Sequence, residues 1–143
     1  MTQNEKDLVL KDLCARLPYG VNMATGYGRG VLTSIRINDS NERLGINIDP
    51  TLIRMFSVND VKPYLFPLSS MTEEQWIDTP YANLNKFTFD SFKCGCSTLA
   101  FETYEVNLSY VVEFINWCYK NHFDVYGLIP MGLANDATGL NIY

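Results

Sequence analysis

The sequence contains a single histidine, His122, in 143 residues. That scarcity restricts its chemistry, because histidine is the side chain whose ordinary pKa suits proton transfer near neutrality. Apolar runs are short, and none approaches the roughly 20 residues a membrane-spanning helix needs. The opening residues, Met1-Thr-Gln-Asn-Glu-Lys-Asp7, lack the basic and apolar regions of a secretory signal, so the cytoplasm is the expected compartment. A basic block is missing as well. With a formal net charge of −5, the chain is a poor candidate for tight, non-specific binding to duplex DNA. There are four cysteines, Cys14, Cys94, Cys96 and Cys118, and in a reducing compartment they read as free thiols. Neither an internal repeat nor a low-complexity tract is present.

What is there describes a folded protein. The chain is 47% hydrophobic and 19% charged, which excludes disorder of the polar, highly charged kind. A chain of about 150 residues buries roughly 68–70% of its unfolded surface, so a core needs no disulfide or metal. Charge is unevenly placed. Residues 1–60 carry seven Lys/Arg and seven Asp/Glu, whereas residues 61–143 carry four lysines and nine acids. All five arginines, Arg16, Arg29, Arg36, Arg43 and Arg54, fall in the neutral part.

The pattern predicts an α+β fold. Asn4 is a candidate cap for a helix to about Arg16, with Val9, Leu10, Leu13 and Leu17 on one face, and Pro18 and Gly20 break it. Residues 21–25 read as a first strand. Val31, Thr33, Ile35 and Ile37 then alternate with Leu32, Ser34, Arg36 and Asn38, and Leu44, Ile46 and Ile48 resume the alternation after the turn-forming residues 39–42. A further strand over 52–58 completes an antiparallel β-meander or SH3-like barrel in a module spanning 1–60. In residues 61–70, Pro63 and Pro67 deny a helix interior or a central strand, which suggests an extended strap across the sheet. Thr72-Glu-Glu-Gln75 matches a capping box and starts a helix that Pro80 limits to about two turns. Residues 86–90 and 98–102 alternate around Lys93-Cys-Gly-Cys96, the pattern of a hairpin. Asn107 is placed to cap a final helix bearing Leu108, Val111, Val112, Ile115 and Tyr119. The part from 61 to 143 is expected to pack on the first module as one domain.

Three segments carry a resemblance: Lys11-Asp-Leu-Cys-Ala-Arg-Leu-Pro-Tyr-Gly-Val21, Val61-Lys-Pro-Tyr-Leu-Phe-Pro-Leu-Ser-Ser-Met-Thr72 and Trp117-Cys-Tyr-Lys-Asn-His-Phe-Asp-Val-Tyr-Gly-Leu-Ile129. Together they resemble a family of small uncharacterised proteins from phages and mobile elements of Bacteroidales gut bacteria. The resemblance implies a genomic setting of host–phage conflict and no particular reaction. Between the second and third segments the chain departs from the family pattern, which usually continues helically with charged residues.

Candidate sites follow from residue chemistry. Gly26-Tyr-Gly-Arg-Gly30 lets the backbone turn tightly, and its Tyr27 and Arg29, with Arg36 or Arg54, could stack on and pair with a small anionic nucleotide. The plainer reading of the same residues is a β-hairpin. It is not a P-loop, since no Gly-Lys-Ser/Thr follows, and its third glycine comes too early for a dinucleotide fingerprint. Cys118 and His122 lie four residues apart, a spacing that could activate a thiolate on one helical face. Cys94 and Cys96 could begin a metal site only if Cys14 and Cys118 converged on them. Tyr64, Phe66 and Trp76, within an aromatic-rich stretch, are candidates for an interface. The function expected is therefore a non-catalytic, homo-oligomeric binding protein that sequesters a host defence nucleotide or a host component in counter-defence. No cofactor, metal or membrane is called for, and nucleic acid is disfavoured. A protein–protein adaptor and a small Cys/His hydrolase or transferase are the rival readings.

Overall fold

Thr2 opens the first helix, α1 (Gln3–Arg16), through a capping box: its hydroxyl accepts the Glu5 N–H at 3.3 Å while Glu5 accepts the Thr2 N–H at 2.6 Å. The cap falls two residues before Asn4, at Thr2, where the Glu5 side chain completes the reciprocal pair. The computed structural model describes residues 1–38, 41–49, 52–82, 89–94 and 108–143. Helix α1 buries Val9, Leu10 and Leu13 and, unusually, Asp12 and Arg16. A 3₁₀ turn, Leu17–Tyr19, and Gly20, whose φ of 70° suits glycine, then lead the chain into the sheet.

Strands β1 (Asn22–Thr25), β2 (Gly28–Asn38), β3 (Asn41–Asp49) and β4 (Leu52–Phe56) form the antiparallel meander that the alternation predicts. Its face assignment needs one correction. A register shift between Leu32 and Ser34 inserts a residue, so Leu32 faces the core before the bulge and Ile35 after it, while Val31 is left exposed. The strap expectation is also corrected, because β5 (Lys62–Leu65) enters the sheet beside β1 and is joined in parallel by the two-residue β6 (Asn135–Asp136). Pro63 is tolerated there because β6 pairs only with Tyr64 and Leu65, which leaves Pro63 a neighbour on the β1 side alone. The strand order is β4-β3-β2-β1-β5-β6, an open sheet with no barrel closure among the described residues. Strands from both parts of the chain thus share one sheet.

Two apolar clusters flank this frame. The first joins α1 to the sheet through Leu13, Met23, Leu32, Leu44, Ile46 and Leu65. The second is aromatic and gathers Trp76 of α2 (Glu73–Ile77), Phe92 of α3 (Phe89–Cys94) and Phe114 of α4 (Leu108–Lys120) with Tyr81 and Phe123. The capping box of α2 is present, with Thr72 and Gln75 exchanging bonds of 2.9 and 3.2 Å. Residues 89–94 are helical where a strand and turn are expected. Helical spacing turns both Phe89 and Phe92 towards Trp76, with ring centroids 6.2 and 4.9 Å away, and packing overrides the local alternation. The remainder of the expected hairpin and the Asn107 cap lie outside the described residues. On α4 the buried side chains are Phe114, Cys118 and Tyr119, whereas Val112 is half exposed.

Candidate functional site

Register assigns each sheet residue to a face, because directly paired residues point the same way. Leu32, Ile46 and Arg54 share the inner face, on which α1 packs. Val31, Asn47 and Ile53 share the outer face, and so do Ser34, Gly45 and Met55 beyond the bulge. Arg29 precedes Val31 by two residues and joins that outer face, as do Arg36 and Arg43, which are directly opposed across β2 and β3. All three arginines are exposed, and no carboxylate among the described residues pairs with them. Like charges directly opposite in a sheet are destabilising, so the Arg36–Arg43 pair opposes folding. Between the arginines lie Val31, Ile53 and Met55, exposed by 37%, 57% and 43%. Gly45 keeps this surface flat, since a Cβ there would collide with the Ser34 hydroxyl.

The four residues expected to form one anion site are thereby divided. Arg29 and Arg36 occupy the outer face, while Arg54 lies on the inner side with its guanidinium 4.6 Å from the Tyr27 ring. Tyr27 sits in the two-residue β1–β2 turn and leans on Phe56 at 6.1 Å. The glycine-rich stretch is thus the hairpin, in which Gly28 supplies a φ of 115° and Gly30 admits β3, whose Asn47 carbonyl would lie 2.6 Å from an added Cβ. Two shallow cavities, of about 320 and 240 Å³, lie elsewhere: one is lined by Phe66, Ala137 and residues 139–143, the other by residues 24–25 and 59–62. Neither has an arginine in its wall.

Of the expected interface residues, Trp76 is buried within the aromatic cluster and has no surface to offer a partner. Phe66 is half-buried against Phe123 and Tyr143 at 6.0 and 5.7 Å. Tyr64 is half-buried in β5, and its carbonyl accepts the Tyr143 hydroxyl at 2.7 Å.

The three segments that carry the resemblance meet at a buried polar junction. Arg16 donates to Asp12 through Nε at 2.7 Å and Nη2 at 2.9 Å, and through Nη2 also to the Phe123 carbonyl at 2.7 Å. Its guanidinium carbon lies 5.0 Å from the Tyr119 ring centroid. Phe66 of the second segment donates its N–H to the His122 carbonyl at 2.9 Å and accepts the Asp124 N–H at 2.8 Å. The Asp124 carboxylate accepts the Leu128 and Ile129 N–H groups, each at 2.8 Å. Burial pushes the Asp12 carboxyl above its ordinary pKa, against the opposing pull of its hydrogen bonds with Arg16. Neither Asp12 nor Arg16 stands out as a site in sequence, although their spacing of four is the available signal.

His122 belongs to this junction as a helix terminator. Its N–H meets the Tyr119 carbonyl at 3.2 Å and the Phe123 N–H meets the Cys118 carbonyl at 2.9 Å, the paired bonds of a Schellman motif with His122 in the left-handed position at φ 61°. The turn takes His122 off the helical face of Cys118, and its ring stacks on Tyr143 at 3.8 Å and 13°. Burial, aided by Arg16, lowers the imidazole pKa to about 4, and burial raises the Cys118 thiol to about 12. Both groups are therefore neutral near pH 7. A thiolate–imidazolium pair is not available here. Cys14 is exposed on α1 and Cys118 is buried in the aromatic cluster, while Cys96 lies outside the described residues. Among the described residues no group of three or more His, Cys, Asp or Glu side chains is arranged to hold a metal, and no helix is long and apolar enough to cross a membrane.

Comparison of the chain with protein-family models, curated proteins and solved structures finds no match.

Proposed function

We propose that the protein is a non-catalytic binding module that captures an acidic protein partner on the outer face of its sheet. The observation that carries this reading is the directly opposed Arg36 and Arg43, with no paired carboxylate among the described residues, flanked by exposed Val31, Ile53 and Met55. A carboxylate between the two guanidiniums would relieve their repulsion, and the aliphatic residues would supply the apolar contact. Nucleic acid suits the surface less well, because sheet surfaces that bind single strands present aromatic stacking platforms and this one is aliphatic. Small-nucleotide capture has weaker support, since such sites are concave and the four expected residues lie on two faces. The setting suggested by the three segments favours a host component as the target.

A 20-residue poly-glutamate provides the test. Measured by fluorescence anisotropy at low salt, it is expected to bind the native chain, and Arg36→Glu should weaken binding at least tenfold. Cyclic nucleotides and ADP-ribose derivatives should leave the melting temperature unchanged. Poly-glutamate binding that is indifferent to Arg36→Glu, or absent altogether, would refute the assignment.

A further inference from the structure

The free side of β4 is a second open feature. This strand ends the sheet order, so its backbone groups facing away from β3 meet no strand among the described residues. Edge strands are commonly blunted by proline, lysine or inward-pointing charge. Strand β4 has no proline or lysine; Leu52, Ile53 and Met55 are exposed, and its one blunting device is Arg54, a charge on the inner side. Arg54 is held against Tyr27, and no carboxylate among the described residues pairs with it. A planar guanidinium braced by an aromatic ring, with N–H groups to spare, is suited to gripping a carboxylate in bidentate fashion.

Resting on the reading of the outer face, we infer that the acidic partner adds an extended segment to β4 as a seventh strand. The segment would read apolar–acidic–apolar. A residue placed beside Arg54 points to the inner side, so its two neighbours point to the outer side, where Ile53 and Met55 lie. Backbone bonds to the edge supply affinity, and the carboxylate on Arg54 sets the register. A second copy of the chain fits less well. Antiparallel self-pairing centred on Arg54 sets that arginine against itself, and centring it on Ile53 or Met55 places Leu52 or Phe56, not a carboxylate, opposite Arg54.

Random octapeptides displayed on phage, selected against the full chain and then resynthesised, test this. Enriched peptides should carry Asp or Glu between apolar residues, and Arg54→Glu should weaken them at least tenfold. N-methylation should abolish binding at one alternating set of peptide amides and be tolerated at the other, since only one set can face β4. Tolerance at both sets, failure to enrich any peptide, or indifference to Arg54→Glu would overturn strand addition. Peptides lost with Arg36→Glu but kept with Arg54→Glu would overturn it while leaving the outer-face reading intact, and the opposite pattern would do the reverse. A dimer that Arg54→Glu dissociates would assign the edge to a second copy and refute the acidic partner there.

Discussion

Arg16 shows how much one side chain can organise. It lies fully buried, ties Asp12 on its own helix to the Phe123 carbonyl more than a hundred residues away, and rests on Tyr119. Removing one partner of a buried ion pair typically costs about 3–5 kcal/mol, because a desolvated charge is left behind. Arg16→Met should therefore lose about that much in urea denaturation. The double variant Asp12→Leu with Arg16→Met should lose clearly less than Arg16→Met alone, and equal losses would show that Asp12 carries no such penalty. His122 gives a pH signature. Its native pKa of about 4 lies below the ordinary 6.5, so between those values the unfolded chain binds more protons and stability falls as pH falls. At about 1.4 kcal/mol per tenfold change in proton affinity, the loss approaches about 3 kcal/mol and levels off below pH 4. Asp12 acts in the opposite direction, because a raised native pKa returns stability as acid protonates it. His122→Asn keeps a residue that tolerates the left-handed turn and removes the titration. Its melting temperature should decline less between pH 6.5 and 4 than that of the native chain.

At the scale of elements, much of the fold was legible. Alternation over β2 and β3 marks the meander, and Thr72 with Gln75 marks the start of α2. The bulge after Leu32 was not, because nothing in a run of apolar and polar residues announces an extra residue. Residues 89–94 misled for a different reason: Phe87 and Phe89 alternate, but Trp76 and Phe114 supply an aromatic surface that rewards helical spacing at Phe89 and Phe92. Pro63 misled through a rule that holds for strands paired on both sides along their length, which β5 is not. In sequence Arg43 is only one of five arginines. Its meaning comes from standing opposite Arg36, a relation set by register rather than by composition.

The whole molecule separates two tasks. The three segments of the resemblance build the buried junction that joins α1, β5 and the turn after α4, and β4 ends the sheet with no further strand beside it among the described residues. Net charge hides this division. An acidic chain presents on one face three arginines that no carboxylate among the described residues pairs with, while the acids that produce its −5 lie mainly in residues 61–143. The Tyr27–Arg29 loop, conspicuous in sequence, contributes one residue to each side of the sheet, which divides the expected anion site. Arg43→Glu probes the central claim in one protein, because it turns a repulsive cross-strand pair into an attractive one. Stability should rise by about 0.2–1 kcal/mol in urea denaturation, while affinity for poly-glutamate falls at least tenfold. A variant that gains no stability, or that gains it and still binds poly-glutamate as the native chain does, would contradict the account.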